Sequence, residues 1–291
     1  MGLCDEVRRH CAEEAAAARN VTIDMTKLGV IPPAPAAVLD PERHYLEGSR
    51  EDVAAYLLAL DTINFGSGWF PTLKKRPGCS GYYTVSWGLA DKFRNEGAWS
   101  TAELREIDAP TVARVLEQDP AHELMDLYAR ALRDLGLFLG DRSALEVVEN
   151  AGDSAEELAE TLAGGMPFFD DPGFYKRAQI APNDLQLAGL CEFDDIDQLT
   201  IFADNLVPHV LRVDGVLLYD PELEARIDKG ELLPSGSGEE QEIRACAVHA
   251  CELIARELRV PPRVLDTWLW NRGQEPRYKA VPRHRTRTVY Y

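Results

Sequence analysis

The 291-residue chain is 45% hydrophobic, which is enough apolar content to bury a substantial core. Its 49 acidic residues outnumber its 31 Lys and Arg residues, and the resulting formal net charge of −18 repels polyanions. This balance argues against a surface that binds DNA or RNA, although it is compatible with a local basic pocket for a small phosphorylated ligand. No apolar run approaches the length of a membrane span, so no membrane partner is expected.

The six cysteines are scattered along the chain, at positions 4, 11, 79, 191, 246 and 251. None forms a CxxC pair or stands at metal-ligand spacing from histidines, so no metal site is expected. Cys246 and Cys251 are predicted to be small buried residues on a helix. Reduced thiols, and an N-terminal stretch too charged for a signal peptide, predict a cytoplasmic protein.

The N-terminal segment is expected to dock on a helical body. Residues 1–19 are charged and rich in alanine, which predicts a helix. Residues 31–35 form a proline-rich connector, since each proline disfavours helix before it. We expect residues 1–40 to pack on one helical domain that spans residues 1–291.

Polar residues gather at the end of the next predicted helix. Ser49 is a suitable N-cap, and Gly66 is a suitable stop. This helix would deliver Asp61, Asn64 and Phe65 at its C-terminal end. Polar side chains three residues apart share one helix face, so Asp61 and Asn64 are candidates for a binding site.

Helical patterns alternate with short breaks along the rest of the chain. The aromatic, β-branched run at 82–87 predicts a short strand or the approach to a helix. Helices are expected at 87–95, 110–117, 121–139, 142–149, 154–164, 174–190, 194–203, 207–213 and 239–258. The last has the clearest apolar stripe, and the Leu-Pro-Ser-Gly-Ser-Gly loop before it resembles the loop of helix-hairpin-helix modules. The predicted class is all-α with at most a small β-ribbon.

A single carboxylate, Asp204, stands in an apolar run just ahead of a proline that favours the first turn of a helix. Phe202 and Leu206 recur at near-helical spacing, so the surroundings of Asp204 are expected to be buried. Such a residue is either a helix cap or a group placed for chemistry. Lys176 lies in a similarly apolar context, where a surface lysine covering aromatic rings is the alternative.

Four segments in this order resemble the queuosine salvage family, and the resemblance runs from about His44 to the C-terminus. The segments are 61–70, 81–84, 173–180 with Lys176, and 199–213 with Asp204. Members of that family are queuosine 5′-phosphate N-glycosylases with a helical core similar to helix-hairpin-helix DNA glycosylases. The resemblance implies hydrolysis that releases queuine and ribose 5-phosphate, with no metal or organic cofactor.

Cleaving a base from ribose passes through an oxocarbenium-like sugar, which a nearby carboxylate stabilises. The resemblance therefore implies that Asp204 acts at the sugar, on the cation or on the attacking water. Lys176 would serve the leaving base or hold Asp204 ionised. A Schiff-base role for Lys176, as in some DNA glycosylases, is disfavoured because the spacing differs.

Base recognition needs a stacking platform and polar groups for a guanine-like edge. The stacking candidates are Phe65, Trp69, Tyr82, Phe202 and Trp270, although each could instead belong to the core. The candidates for polar contacts are Asp61, Asn64, Asp266 and, from a loop, His44.

Residues 277–287 hold five basic residues in an otherwise acidic protein. Arg283, Arg285 and Arg287 are candidates to bind a 5′-phosphate, because guanidinium groups bind phosphate bidentately. A solvated basic tail is the alternative. Residues 286–291 alternate like a strand.

Two other functions stay open on the sequence. One is a non-catalytic protein that binds queuine or a related deazapurine, which would not need a carboxylate beneath the sugar. The other is an N-glycosylase of another modified purine nucleotide. In each case the expected partner is a small molecule, with no nucleic acid and no membrane.

Overall fold

A computed structural model describes residues 2–32 and 37–291, and these form a mostly helical protein. The helices in chain order are α1 (Leu3–Ala17), α2 (Arg50–Thr62), α3 (Gly81–Glu96), α4 (Thr101–Glu106), α5 (Ala109–Leu116), α6 (Glu123–Leu139), α7 (Ala144–Asn150), α8 (Ala155–Gly165), α9 (Lys176–Leu187), α10 (Leu206–Val213), α11 (Pro221–Asp228), α12 (Gly238–Leu258), α13 (Pro262–Arg272) and α14 (Pro276–Lys279). Strands β1 (Val21–Ile23) and β2 (Leu217–Tyr219) pair antiparallel. The predicted all-α class with one small β-ribbon is confirmed.

Short-range capping sets the start of the helix that leads into the site. The N–H of Asp52 donates to Ser49 Oγ at 3.2 Å, and the N–H of Ser49 donates to Asp52 Oδ2 at 3.3 Å. This reciprocal capping box satisfies two amides at the start of α2. The predicted N-cap at Ser49 is therefore confirmed.

The aromatic run at 82–87 belongs to α3 itself, and the short strand predicted as one alternative is absent from it. Ser80 accepts a hydrogen bond from the N–H of Tyr83 and so begins the helix earlier than the pattern indicated. The short helix α4 was not predicted, although Ser100 and Glu103 form a capping box at its start.

The helix predicted over 194–203 is wrong. The described chain there contains one 3₁₀ turn, Ile196–Gln198, and is then non-helical up to Asn205. The N–H of Thr200 donates to Gln179 Oε1 at 2.9 Å, and the N–H of Phe202 donates to Asp266 Oδ1 at 2.9 Å. These amides therefore bind side chains of α9 and α13 in place of helical carbonyls.

Helix α1 packs along α12 and buries Leu3, Cys4, Val7 and Cys11. Cys246 and Cys251 are buried on α12, as expected. Most of the predicted connector at 31–35 lies outside the described residues. Among the described helices, none combines the length and apolarity that a membrane crossing requires.

The loop before α12 forms hydrogen bonds with a glutamate in the first turn of that helix. The N–H of Gly236, which has a φ of +73°, donates to Glu240 Oε2 at 3.1 Å. The N–H of Glu240 donates in turn to Ser237 Oγ at 3.4 Å. Because a glutamate already binds this loop, the loop serves the architecture and does not present free amides to a phosphate.

The C-terminal segment runs beside the loop that follows α2. The N–H of Gly66 donates to the carbonyl of Tyr291 at 3.0 Å. A Cβ atom on Gly68 would lie 2.3 Å from the carbonyl oxygen of Thr286, so only glycine allows this approach. The described residues 286–291 do not form the predicted strand, and the isolated bridge nearby joins Arg285, just before this segment, to Leu232.

Candidate active site

A cavity of about 750 Å³ opens between the loop after α2, helices α3, α9, α10 and α13, and the C-terminal segment. Its size is that of a small-molecule site. The predicted residues that line it are His44, Asn64, Phe65, Tyr82, Lys176, Phe202, Asp204, Asp266, Trp270, Arg283 and Arg285. Three predicted residues do not line it, namely Asp61, Trp69 and Arg287.

Asp204 is both a helix cap and a cavity residue. Its Oδ1 accepts hydrogen bonds from the N–H of Leu206 at 2.7 Å and of Val207 at 3.0 Å. Pro208 follows in the first turn of α10, where its missing N–H costs nothing. The cap orients the carboxylate, and Oδ2 makes no hydrogen bond to the described residues. The two interpretations of Asp204 are therefore compatible.

Lys176 is the first residue of α9, and its side chain is buried at 5% exposure. Its Nζ donates to the carbonyl of Asn64 at 3.3 Å. Burial lowers the pKa of Lys176, and the negative charge of Asp204 opposes this shift. The alternative of a surface lysine is therefore wrong, and Lys176 is a buried amine near the Asp204 carboxylate.

A buried ion pair joins the segments that carry these two residues. Arg244, on α12, binds the carboxylate of Asp171 through Nη1 at 3.1 Å and Nη2 at 2.5 Å. Its Nε donates to the carbonyl of Ala203 at 3.1 Å, directly before Asp204. Asp171 Oδ2 also accepts the N–H of Lys176 at 3.4 Å. The arginine therefore sets the position of one segment relative to the other.

We expect Arg244→Met to lower the free energy of unfolding by about 3–5 kcal/mol, because it leaves the Asp171 carboxylate buried without its partner. Urea titration of the purified variant measures this loss. The matched control is Arg263→Met, which removes an exposed pair with Asp197 and should cost no more than about 1 kcal/mol. Equal losses in the two variants would contradict the role of Arg244.

Asp266 and Phe202 meet at the wall of the cavity. Asp266 Oδ1 accepts the N–H of Phe202 at 2.9 Å, so this carboxylate positions the ring two residues before Asp204. Burial raises the pKa of Asp266 well above its ordinary value, and the nearby charge of Asp204 raises it further. The side chain of Asp266 thus provides a polar group at the cavity wall.

Aromatic residues line the cavity beyond Phe202. Trp270 packs edge-on against Tyr82 with ring centroids 5.7 Å apart. His44 Nε2 lies 3.0 Å from Tyr82 Oη, and its Nδ1 lies 2.9 Å from the carbonyl of Asp40. Burial lowers the pKa of His44, which favours the neutral imidazole. These contacts order an aromatic wall before any ligand arrives.

Four basic residues line one end of the cavity, which we name the cationic end: Lys75, Lys279, Arg283 and Arg285. Partial desolvation lowers the pKa of Lys75, and the positive charges of Arg283, Arg285 and Lys279 lower it further, so the four groups lie close together. Sequence analysis missed Lys75, because it stands about 200 residues from the C-terminal basic stretch and only the fold brings it there.

Arg287 points away from the cationic end. Its Nη1 donates to Glu123 Oε2 at 3.3 Å, and its guanidinium lies 5.7 Å from the ring centroid of Trp69. The indole N–H of Trp69 donates to the same carboxylate at 2.7 Å. The predicted roles of Arg287 in phosphate binding and of Trp69 in stacking are not supported by these positions.

Asp61 is fully buried behind the cavity wall, and neither of its carboxylate oxygens accepts a hydrogen bond from the described residues. A direct contact of Asp61 with a ligand is therefore not supported. Asp184 on α9 does line the cavity, and Asn183 Nδ2 donates to its Oδ1 at 3.2 Å. The cavity-facing positions 176, 180, 183, 184 and 187 follow helical spacing, a signal that could have identified Asp184.

The family described as Queuosine salvage protein matches residues 43–291 of this chain. The chain belongs to this family. A relative in Sphaerobacter thermophilus is 35% identical over 275 residues, which cover 86% of this chain and 84% of the relative. One in Mus musculus is 34% identical over 285 residues, covering 84% and 83%, and one in Dictyostelium discoideum is 32% identical over 269 residues, covering 83% and 79%. All three are named queuosine 5′-phosphate N-glycosylase/hydrolase.

The part that matches the queuosine salvage family begins immediately before His44 and includes every residue of the cavity wall described above. Helix α1 and strand β1 lie outside the matched part. The segments expected to resemble the family, which carry Asn64, Lys176 and Asp204, all contribute to one cavity. The resemblance to the family is therefore confirmed.

Proposed function

We propose that this protein hydrolyses the N-glycosidic bond of queuosine 5′-phosphate and releases queuine and ribose 5-phosphate. The observation that carries the proposal is Asp204, whose Oδ1 is held by two backbone amides while Oδ2 is available to the cavity. This carboxylate lies between the cationic end and the aromatic wall. The names of the three relatives support the same reaction.

In the proposed reaction the bond between the anomeric carbon and the base nitrogen breaks, and its electron pair leaves with the base. Asp204 stabilises the positive charge that develops on the sugar and takes a proton from the water that bonds to the anomeric carbon. The carboxylate is fixed before the substrate binds, so it need not reorganise as charge develops. This arrangement favours hydrolysis over binding alone.

The leaving base needs a proton, and a 7-deazaguanine lacks the N7 lone pair through which ordinary purines gain one. We propose that Lys176 supplies this proton. Burial lowers its pKa, so it releases a proton more readily than an exposed lysine. Its Nζ lies against the carbonyl of Asn64, at the cavity wall. We assign Lys176 to the leaving base and Asp204 to the sugar.

The base is proposed to stack within the wall formed by Phe202 and Trp270, with Asp266 as a hydrogen-bond partner. At the other side of Asp204, Arg283 and Arg285 are proposed to bind the 5′-phosphate with Lys75 and Lys279. Burial lowers the pKa of Arg283, and the negative charge of Asp204 opposes this shift, which supports neighbouring positions for the sugar and the phosphate. The base, the sugar and the phosphate of a nucleotide would thus contact Asp266, Asp204 and the cationic end, respectively.

The decisive experiment compares queuosine, queuosine 5′-phosphate and guanosine 5′-phosphate as substrates and measures the free base by chromatography. We expect queuine from queuosine 5′-phosphate and much less free base from the other two. Tight binding of queuine without release from any nucleotide would indicate a binding protein. Faster release of guanine would indicate an N-glycosylase of another purine nucleotide.

We also predict that the protein neither binds nor processes polynucleotides. A net charge of −18 removes long-range attraction, and the cationic end acts only over roughly 10 Å at about 0.1 M salt. Filter binding with queuosine-containing tRNA at about 50 mM salt tests association, and base release from the same tRNA tests the reaction. Micromolar binding with measurable release would contradict the mononucleotide assignment.

A further inference from the structure

The cavity also carries a negative charge away from its cationic end. Asp184 lines the cavity on α9, and the positive charge that acts on its pKa is that of Lys176, with none from the cationic end. These residues are eight positions apart, or roughly 12 Å along the helix at about 1.5 Å per residue. We name Asp184 and the underlying Asp61 the acidic end.

Asp184 is a buried carboxylate without a cationic partner. It is 5% exposed, and its one described hydrogen bond comes from the neutral amide of Asn183. The charge of Lys176 on the same helix lowers the pKa of Asp184, but Lys176 Nζ donates its hydrogen bond to the carbonyl of Asn64. An ionised carboxylate in such a place is costly unless a positive charge or several donors compensate it.

Asp61 is a second buried carboxyl group beside Asp184. It is fully buried, and the side chain of Asn64 and the charges of Lys176 and Arg177 lie near it. Burial raises its pKa well above the ordinary value, and the charge of Asp184 raises it further. The raised pKa favours the neutral form of Asp61, so the negative charge of the acidic end belongs to Asp184.

We propose that the acidic end is a subsite for a cationic amine carried by the base, with Asp184 as the residue that contacts it. The proposal rests on the proposed function, because queuine carries such an amine on its 7-substituent. The phosphate then lies at the cationic end and the ammonium at the acidic end of the same cavity. Guanosine 5′-phosphate has the phosphate but lacks the amine, so this subsite selects against it.

The effect of the positive charge can be measured with two free bases whose 7-substituents contain the same heavy atoms, one carbon and one nitrogen. They are 7-aminomethyl-7-deazaguanine, which is cationic, and 7-cyano-7-deazaguanine, which is neutral. By calorimetry with the full chain, we expect the cationic base to bind at least about tenfold more tightly, or about 1.4 kcal/mol. Equal affinities would overturn the proposal.

Asp184→Asn should remove this preference, with the neutral base still binding within about threefold of its wild-type affinity. The matched control, Asp228→Asn, loses the same charge at the exposed rim, where Asp228 pairs with Arg212, and should keep the preference. An equal effect of both variants would mean that only the long-range field matters. Equal weakening of both bases by Asp184→Asn would mean that Asp184 binds the base edge. Either result would overturn the proposal.

The wild-type protein supplies a test that needs no variant. Burial raises the pKa of Asp184 to about 6, while Asn183 and Lys176 oppose that shift. Protonation removes the charge that an ammonium needs, so the cationic base should bind roughly tenfold more weakly at about pH 5 than at about pH 7.5. An aliphatic amine stays protonated over this range.

The other titratable groups around Asp184 are Asp61 and Tyr56 on α2, Tyr82 on α3 and Asp266 on α13. Burial raises the pKa of all four, so both tyrosines stay neutral over this pH range. Contacts with the deazaguanine ring are common to both bases, so the neutral base corrects for any change in them. A preference that does not change with pH would contradict the proposal. Free bases test the subsite without turnover, so a protein that failed to cleave queuosine 5′-phosphate could still confirm it.

Discussion

Asp204→Asn is expected to lower turnover of queuosine 5′-phosphate by at least roughly a thousandfold while queuine still binds within about tenfold of its normal affinity. The carboxylate serves a charge that exists only in the transition state. Asparagine keeps Oδ1, which can still accept the N–H groups of Leu206 and Val207. The substitution therefore removes the charge and preserves the cap. Steady-state kinetics and calorimetry with queuine measure the two effects.

Two further variants separate capping from chemistry. Asp204→Ala should also lose the cap, at about 1 kcal/mol of stability, so its melting temperature should fall below that of Asp204→Asn. The control is Asp220→Asn, because Asp220 caps α11 outside the cavity and should not affect turnover. Near-normal turnover in Asp204→Asn would mean that Asp204 is only a cap.

The double variant Arg283→Met and Arg285→Met is expected to raise KM for queuosine 5′-phosphate by roughly a hundredfold or more, since two charge-assisted hydrogen bonds contribute about 1.5–3 kcal/mol each. We expect the wild-type enzyme to prefer the nucleotide over queuosine by at least about tenfold, or about 1.4 kcal/mol. The double variant should lose this preference. Parallel kinetics on nucleotide and nucleoside measure it.

Arg287→Met is the matched control for phosphate binding. It removes the same charge from the same C-terminal segment, but Arg287 is exposed and pairs with Glu123 outside the cavity. Its KM should stay within about twofold of normal, since an exposed pair contributes little. If Arg287→Met matched the double variant, the effect would come from net charge, and the assignment of the phosphate to the cationic end would be wrong.

Local sequence signals determined where the helices that carry the site begin. Ser49 begins α2 through its capping box, and Pro208 lies in the first turn of α10 as expected. Asp204 could be placed at this break because capping depends on a few neighbouring residues. Lys176 was singled out by its apolar and aromatic surroundings, and it is the first residue of α9, within the helix predicted at 174–190.

The non-helical conformation of residues 199–205 was decided by tertiary structure. Its apolar spacing predicted a helix, yet its amides bind Gln179 and Asp266, which come from distant parts of the chain. Local periodicity cannot reveal such partners. This non-helical conformation brings Phe202 to the aromatic wall and lets Arg244 bind the carbonyl before Asp204.

The sequence by itself determined the family, the helical class and the residues proposed to act at the sugar, because these depend on local motifs in a fixed order. Tertiary structure alone decided which charges face the cavity. Helix α2 is buried on almost all sides, so periodicity could not tell whether Asp61 faces the ligand or the interior. Packing placed Asp61 behind Asp184 and brought Lys75 to Arg283 and Arg285, because burial and electrostatic proximity depend on segments far apart in the chain.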